Sequence, residues 1–71
     1  MNERQREQRA RELDADLESK KAIAETLLYF LHRAESTGDK AEASRVRWYL
    51  SEQVGMMEKD IEEFKNLYRH S

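Results

Sequence analysis

Two histidines and fifteen carboxylates are the residues best equipped for chemistry in this sequence, and their spacing decides what they can do. A dinuclear metal centre inside a helical bundle needs Glu-x-x-His on two helices with further glutamates turned inward. Here His32 precedes Glu35 in the order His-x-x-Glu, and no second copy occurs. No metal site is therefore expected, and His32 and His70 read as surface groups near helix ends, where a cation is favoured. A nucleophilic mechanism needs an activated Ser, Thr, Cys or Lys beside a base, in a pocket. The chain has no Cys and no Gly-rich phosphate loop, so neither an enzyme nor a cofactor is expected. Asp14, Asp16, Glu18, Glu58, Asp60, Glu62 and Glu63 form an acidic cluster. It reads as a solvated face laced by Lys20, Lys21, Lys59 and Lys65, with an acidic docking surface as the sharper option.

The segment "RQREQRAR" sets Arg4, Arg6, Arg9 and Arg11 on one helix, with Lys65, Arg69 and His70 nearby once the chain folds. Phosphate contacts of this kind bind nucleic acid without a sequence motif. Against that use, Glu3, Glu7 and Glu12 interrupt the run, and no recognition-helix turn or stacking platform accompanies it. The formal charge of −2 also argues against a globally basic footprint. Nucleic-acid binding is thus the less favoured reading.

Protein interfaces are anchored by Trp, Tyr and Arg. Tyr29, His32, Arg45 and Trp48, together with Gly55, are the candidate partner-binding patch for an unidentified protein. A mid-helix Gly costs about 1 kcal/mol relative to Ala, so Gly55 suggests either drift or close approach of another backbone.

The elements that must position these residues follow from punctuation and periodicity. There is no Pro, and "ESTGDKAEA" is the one convincing turn. Gly38 suits a left-handed helix C-terminus, and Asp39 with Glu42 has the spacing of a capping box. Helix 1 is predicted at about residues 3–36, the turn at 37–39 and helix 2 at about 39–69, with the first few residues liable to fray. Helix 1 repeats Ala10, Leu13, Leu17, Lys20, Ala24, Leu27, Leu31 and Ala34 in alternating steps of three and four, the seam of a heptad. Helix 2 offers Ala43, Leu50, Val54, Met57, Ile61, Phe64 and Tyr68. Folding at Gly38 sets Leu13 against Phe64, Leu17 against Ile61, Leu27 against Leu50 and Ala34 against Ala43. Lys20 breaks the seam, and its stem is expected to lie over Met57 with the ammonium in water.

The expected fold is therefore all-α: one domain spanning 1–71, an antiparallel two-helix hairpin resembling a coiled coil. A chain of 71 residues without Cys is short for a self-sufficient core, which favours self-association. Ile23, Phe30, Val46, Tyr49, Met56 and Leu67 fall together on one flank of the predicted seam and form the expected homodimer interface, which would close a four-helix bundle. A third, short helix made by a break near Ser19 or Lys20 is the competing way to cover that flank. The longest charge-free run, around "TLLYFLH", is far shorter than the ~20 apolar residues of a membrane span. With no apolar leader in "MNERQREQRAREL", the expectation is a cytoplasmic protein without a membrane partner. Its expected role is a non-enzymatic protein-interaction module: an inhibitor, adaptor or regulator. The alternatives are a dimeric nucleic-acid-binding regulator using the N-terminal arginines, and a purely structural coiled-coil segment.

Overall fold

A computed structural model describes residues 2–69. Helix α1 runs Glu3–Thr37 and helix α2 runs Lys40–Arg69, packed against each other as an antiparallel hairpin. At 1.5 Å per residue, the 35 residues of α1 account for about 52 Å, which matches the molecule's long dimension of 53 Å. The radius of gyration, 16.2 Å, exceeds the ~11 Å expected of a compact domain of this length. The molecule is a rod.

Local chemistry sets both ends of α1. At its start, the Asn2 side chain accepts from the Gln5 backbone N–H at 2.8 Å, and the Gln5 side chain accepts from the Asn2 backbone N–H at 3.1 Å. These reciprocal bonds satisfy donors that the helix itself cannot. At its end Gly38 adopts φ 75°, a left-handed conformation that costs other residues a steric clash. The Asp39 N–H then donates to the Ala34 carbonyl at 2.9 Å and the Gly38 N–H to that of Glu35 at 3.2 Å, the paired bonds of a Schellman motif. Asp39 caps α2, its carboxylate accepting from the Glu42 backbone N–H at 3.0 Å. Helix α1 is continuous through Ser19 and Lys20, so among the described residues no third helix covers a flank.

The seam of α1 is the predicted one. Ala10, Leu13 and Ala34 are buried, and Leu17, Lys20, Ala24, Leu27 and Leu31 are half-buried between them. Helix α2 differs from expectation. Ala43, Leu50 and Met57 do face α1, but the residues that alternate with them are Val46, Gln53 and Asp60, all buried, and half-buried Leu67. Val54, Ile61 and Tyr68, expected in the seam, remain exposed, as does Phe64. Helix α2 is thus turned about its axis so that a partly polar row faces α1. The reason lies in Lys20: its ammonium bonds the Asp60 carboxylate at 2.8 Å and that of Asp16 at 2.6 Å. It is not left in water, and Asp60 belongs to the seam instead of to a solvated acidic face.

Candidate interaction surface

With that rotation, seven-residue spacing sorts the remaining side chains onto two flanks and two backs. On one flank α1 places Arg9, Asp16, Ile23 and Phe30, and α2 places Glu42, Tyr49, Met56 and Glu63. Arg9 bridges the helices here, with Nη2 2.7 Å and Nε 2.8 Å from Glu63 Oε1, and it also pairs with Glu12 at 3.1 Å. These two carboxylates, Glu63 first, raise the guanidinium pKa further above its already high value. On the opposite flank α1 places Glu7, Asp14, Lys21, Leu28 and Glu35, and α2 places Arg47, Val54, Ile61 and Tyr68. A looser pair, Arg47 with Glu35 at 3.9 Å, crosses the helices there.

Of the residues expected on the dimer face, Ile23, Phe30, Tyr49 and Met56 do share the first flank and are exposed. Val46 and Leu67 do not. Val46 is only 5% exposed, against α1, and Leu67 is half-buried on the same row; both were displaced from the flank by the rotation that buries Asp60.

The patch built around Trp48 is divided. Tyr29 lies two residues from both Leu27 and Leu31, and Trp48 two residues from both Val46 and Leu50, so each points away from the seam on its own helix. They occupy opposite outer faces of the hairpin. Tyr29, 64% exposed, stands with exposed His32 on the back of α1, its ring edge-on to Phe30 at 5.7 Å. Trp48, 60% exposed, stands on the back of α2 with its ring edge-on to Tyr49 at 5.1 Å. Arg45, which pairs with Glu42 at 3.0 Å, and Gly55, one heptad after Trp48, share that back. A Cβ added at Gly55 would meet nothing within 4 Å, so no part of this chain approaches it closely.

The arginines are also spread out. Arg4 and Arg11 share one face, Arg6 turns half-buried toward the seam, and Arg9 is engaged by Glu63 and Glu12. Arg69 lies 3.7 Å from Glu62. His70, grouped with these cations from the sequence, lies outside the described residues.

Two polar residues enter the seam where the hydrophobic rhythm does not place them. Gln53 is buried, and its Nε2 donates to the Lys20 carbonyl at 3.2 Å, a side chain of α2 holding the backbone of α1. Asp60 is the other. The signal was available: a lysine inside the seam of one helix needs a carboxylate in the seam of the other. Hydrogen bonding within the cluster shared with Asp60, and with Lys20, holds the Asp16 carboxyl below its ordinary value. The Lys20 ammonium is correspondingly raised, by Asp16 first and then Asp60, against the opposing effect of desolvation.

Among the described residues no three His, Cys, Asp or Glu side chains are grouped to hold a metal ion. No described helix is long and apolar enough to cross a membrane. What the arrangement offers chemically is surface: a hairpin with an apolar group on each flank and an aromatic residue on each back. No family model matches the chain, and comparison with curated proteins and with solved structures finds no match.

Proposed function

We propose that this is a small, cytoplasmic, non-enzymatic protein-interaction module, an inhibitor, adaptor or regulator that covers a partner protein with a helical face. One observation carries the reading. After the hairpin closes, eleven large apolar side chains among the described residues are still more than a third exposed, whereas the buried hydrophobic residues among them number five, three of them alanine. Scattered single exposed apolar residues are ordinary, but contiguous groups of them on a chain this small mark contact surfaces. Trp48 with Arg45 on the back of α2 has the residue types of an interface anchor.

Affinity capture from the source organism tests this by comparing wild type with Trp48→Ala and with Tyr29→Ala. The two residues sit on opposite faces, so the variants probe separate surfaces. Wild type is expected to retain a specific protein that Trp48→Ala loses while keeping its helical circular dichroism. Equal retention by both variants removes the aromatic residues from the contact.

A second reading, a dimeric nucleic-acid-binding regulator, draws on Arg4 and Arg11, which share a face and have no carboxylate within ion-pair distance among the described residues. In the same experiment, changing Arg4, Arg6, Arg9 and Arg11 to Gln leaves protein capture intact on the first reading. On the second it abolishes retention on DNA or RNA at low salt.

A further inference from the structure

We propose that a second copy of this chain docks on the flank carrying Ile23, Phe30, Tyr49 and Met56, closing two hairpins into a four-helix bundle. This rests on the interaction-module reading and names the occupant of one of its surfaces.

Area is the first ground. The hairpin exposes 5681 Å², whereas a compact monomer of 8.5 kDa exposes about 4,650 Å². The surplus, about 1,000 Å², is what a two-helix rod leaves uncovered. A stable dimer of standard size buries roughly 800 Å² on each partner, which this surplus can supply.

The second ground is which helices contribute. On the proposed flank Ile23 and Phe30 come from α1 and Tyr49 and Met56 from α2, each pair one heptad apart. The apolar face is therefore two helices wide, as an isologous bundle requires: each copy must offer the same broad face to the other. The opposite flank is interrupted by charge. There α2 supplies Val54, Ile61 and Tyr68 and α1 supplies Leu28, but α1 also sets Asp14 and Lys21 among them, and Asp14 lines the same shallow depression as Ile61 and Phe64. A copy docked on that side would bury those charges, at a cost that their burial alone does not return.

Charge supplies the third ground. Three ion pairs within the chain border the proposed face: Arg9 with Glu63, Asp16 with Lys20, and Glu42 with Arg45. Covering the four apolar residues leaves these pairs intact, with Arg33 at the rim beside Phe30. The backs stay outside such a bundle, so Trp48 and Tyr29 remain available, each displayed twice.

Sedimentation equilibrium of the full chain tests the proposal. Wild type is expected at twice the monomer mass. Phe30→Glu and Met56→Glu each halve that mass, and Ile61→Glu on the other flank leaves it unchanged. Wild type sedimenting as a monomer across the micromolar to millimolar range overturns the proposal. So does a dimer that Ile61→Glu dissociates and Phe30→Glu does not.

Because a dissociated chain can also unfold, a measurement on wild type accompanies the variants. Isotope-filtered NOEs between labelled and unlabelled chains are expected from the Ile23 methyls to the partner copy's Phe30, Tyr49 or Met56. Contacts from Val54 or Ile61 in their place overturn the assignment. A monomer that still captures a partner through Trp48 overturns this proposal alone. A dimer with no Trp48-dependent partner supports it while removing the partner face.

Discussion

The two halves of the hairpin are held together by different chemistry. Toward the turn, Ala34, Ala43 and Val46 are buried and no charged group enters the seam, so the contact there is close apolar packing set by a tight Schellman turn. Toward the open end the seam contains Leu13, 2% exposed, and polar contacts join it: Lys20 to Asp60 and Gln53 to the Lys20 carbonyl within the seam, with Asp16 to Lys20 and Arg9 to Glu63 on the flank beside it. The turn can enforce its neighbours' register because the chain itself links them. Further out that constraint weakens, and directional polar bonds take over the task. A polar residue at a seam position commonly fixes register at a cost in stability. Lys20, Asp60 and Gln53 fill that role here.

The largest expected effect comes from removing the apolar anchor of the open half. Leu13 is the one fully buried large side chain among the described residues, so Leu13→Ala is expected to cost about 2–5 kcal/mol. For a rod with so small a core this loss is comparable to total stability, and urea titration followed by circular dichroism should show most of the chain unfolded in buffer. A loss below about 1 kcal/mol would mean that the polar contacts, not Leu13, hold that half.

The turn half is tested by adding bulk instead of removing it. Ala43 is buried beside the Asp39 cap, close to the turn that fixes the helix separation. Ala43→Leu is therefore expected to cost about 1–3 kcal/mol through forced side-chain and backbone shifts. The same class of change at half-buried Ala24, beyond the reach of the turn, should cost less. Equal costs, measured by urea titration of both variants, would show the helix separation to be as rigid in the middle as at the turn.

That difference also explains how much of the structure was legible in the sequence. Gly38, Asp39 and the whole seam of α1 were readable because a turn residue, a cap and an unbroken rhythm all agree. For α2 the sequence contains two rows, both alternating with Ala43, Leu50, Met57 and Phe64. One is Arg47, Val54, Ile61 and Tyr68; the other is Val46, Gln53, Asp60 and Leu67. Hydrophobicity favours the first, because it treats each helix alone. The structure uses the second, because Asp60 answers Lys20 and Gln53 reaches the backbone of α1. Turning α2 by about 50° onto that second row moves Val46 and Leu67 from flank to seam. The apolar quartet of the candidate dimer face was legible, since Ile23, Phe30, Tyr49 and Met56 lie on the same flank in either case. The patch joining Tyr29 to Trp48 was misplaced, because positions opposite the seam on two antiparallel helices diverge.

The smallest effect expected is the pH dependence of the polar half, and its sign separates that half from the turn. Asp16 has a pKa below its ordinary 3.8 in the folded chain, so its contribution is present above 3.8 and is lost as pH falls through the depressed folded value. Lys20 is raised above its ordinary 10.5, so its contribution is present below 10.5 and is lost as pH rises through the higher folded value. Between those limits the cluster should contribute evenly. Both groups are accessible to solvent, so salt should weaken the effect, the screening length being about 8 Å at physiological ionic strength. In hydrogen exchange at low salt, acidification should reduce protection of amides around Asp16 and Lys20 before those around Ala34 and Ala43, beyond the intrinsic change in exchange rate. Lys20→Gln should abolish that difference, since it removes the cation that both carboxylates share. If protection falls equally in both halves of wild type, or if the variant retains the gradient, the open half is not held by this cluster. Its register would then rest on Leu13, Gln53 and the Arg9–Glu63 pair.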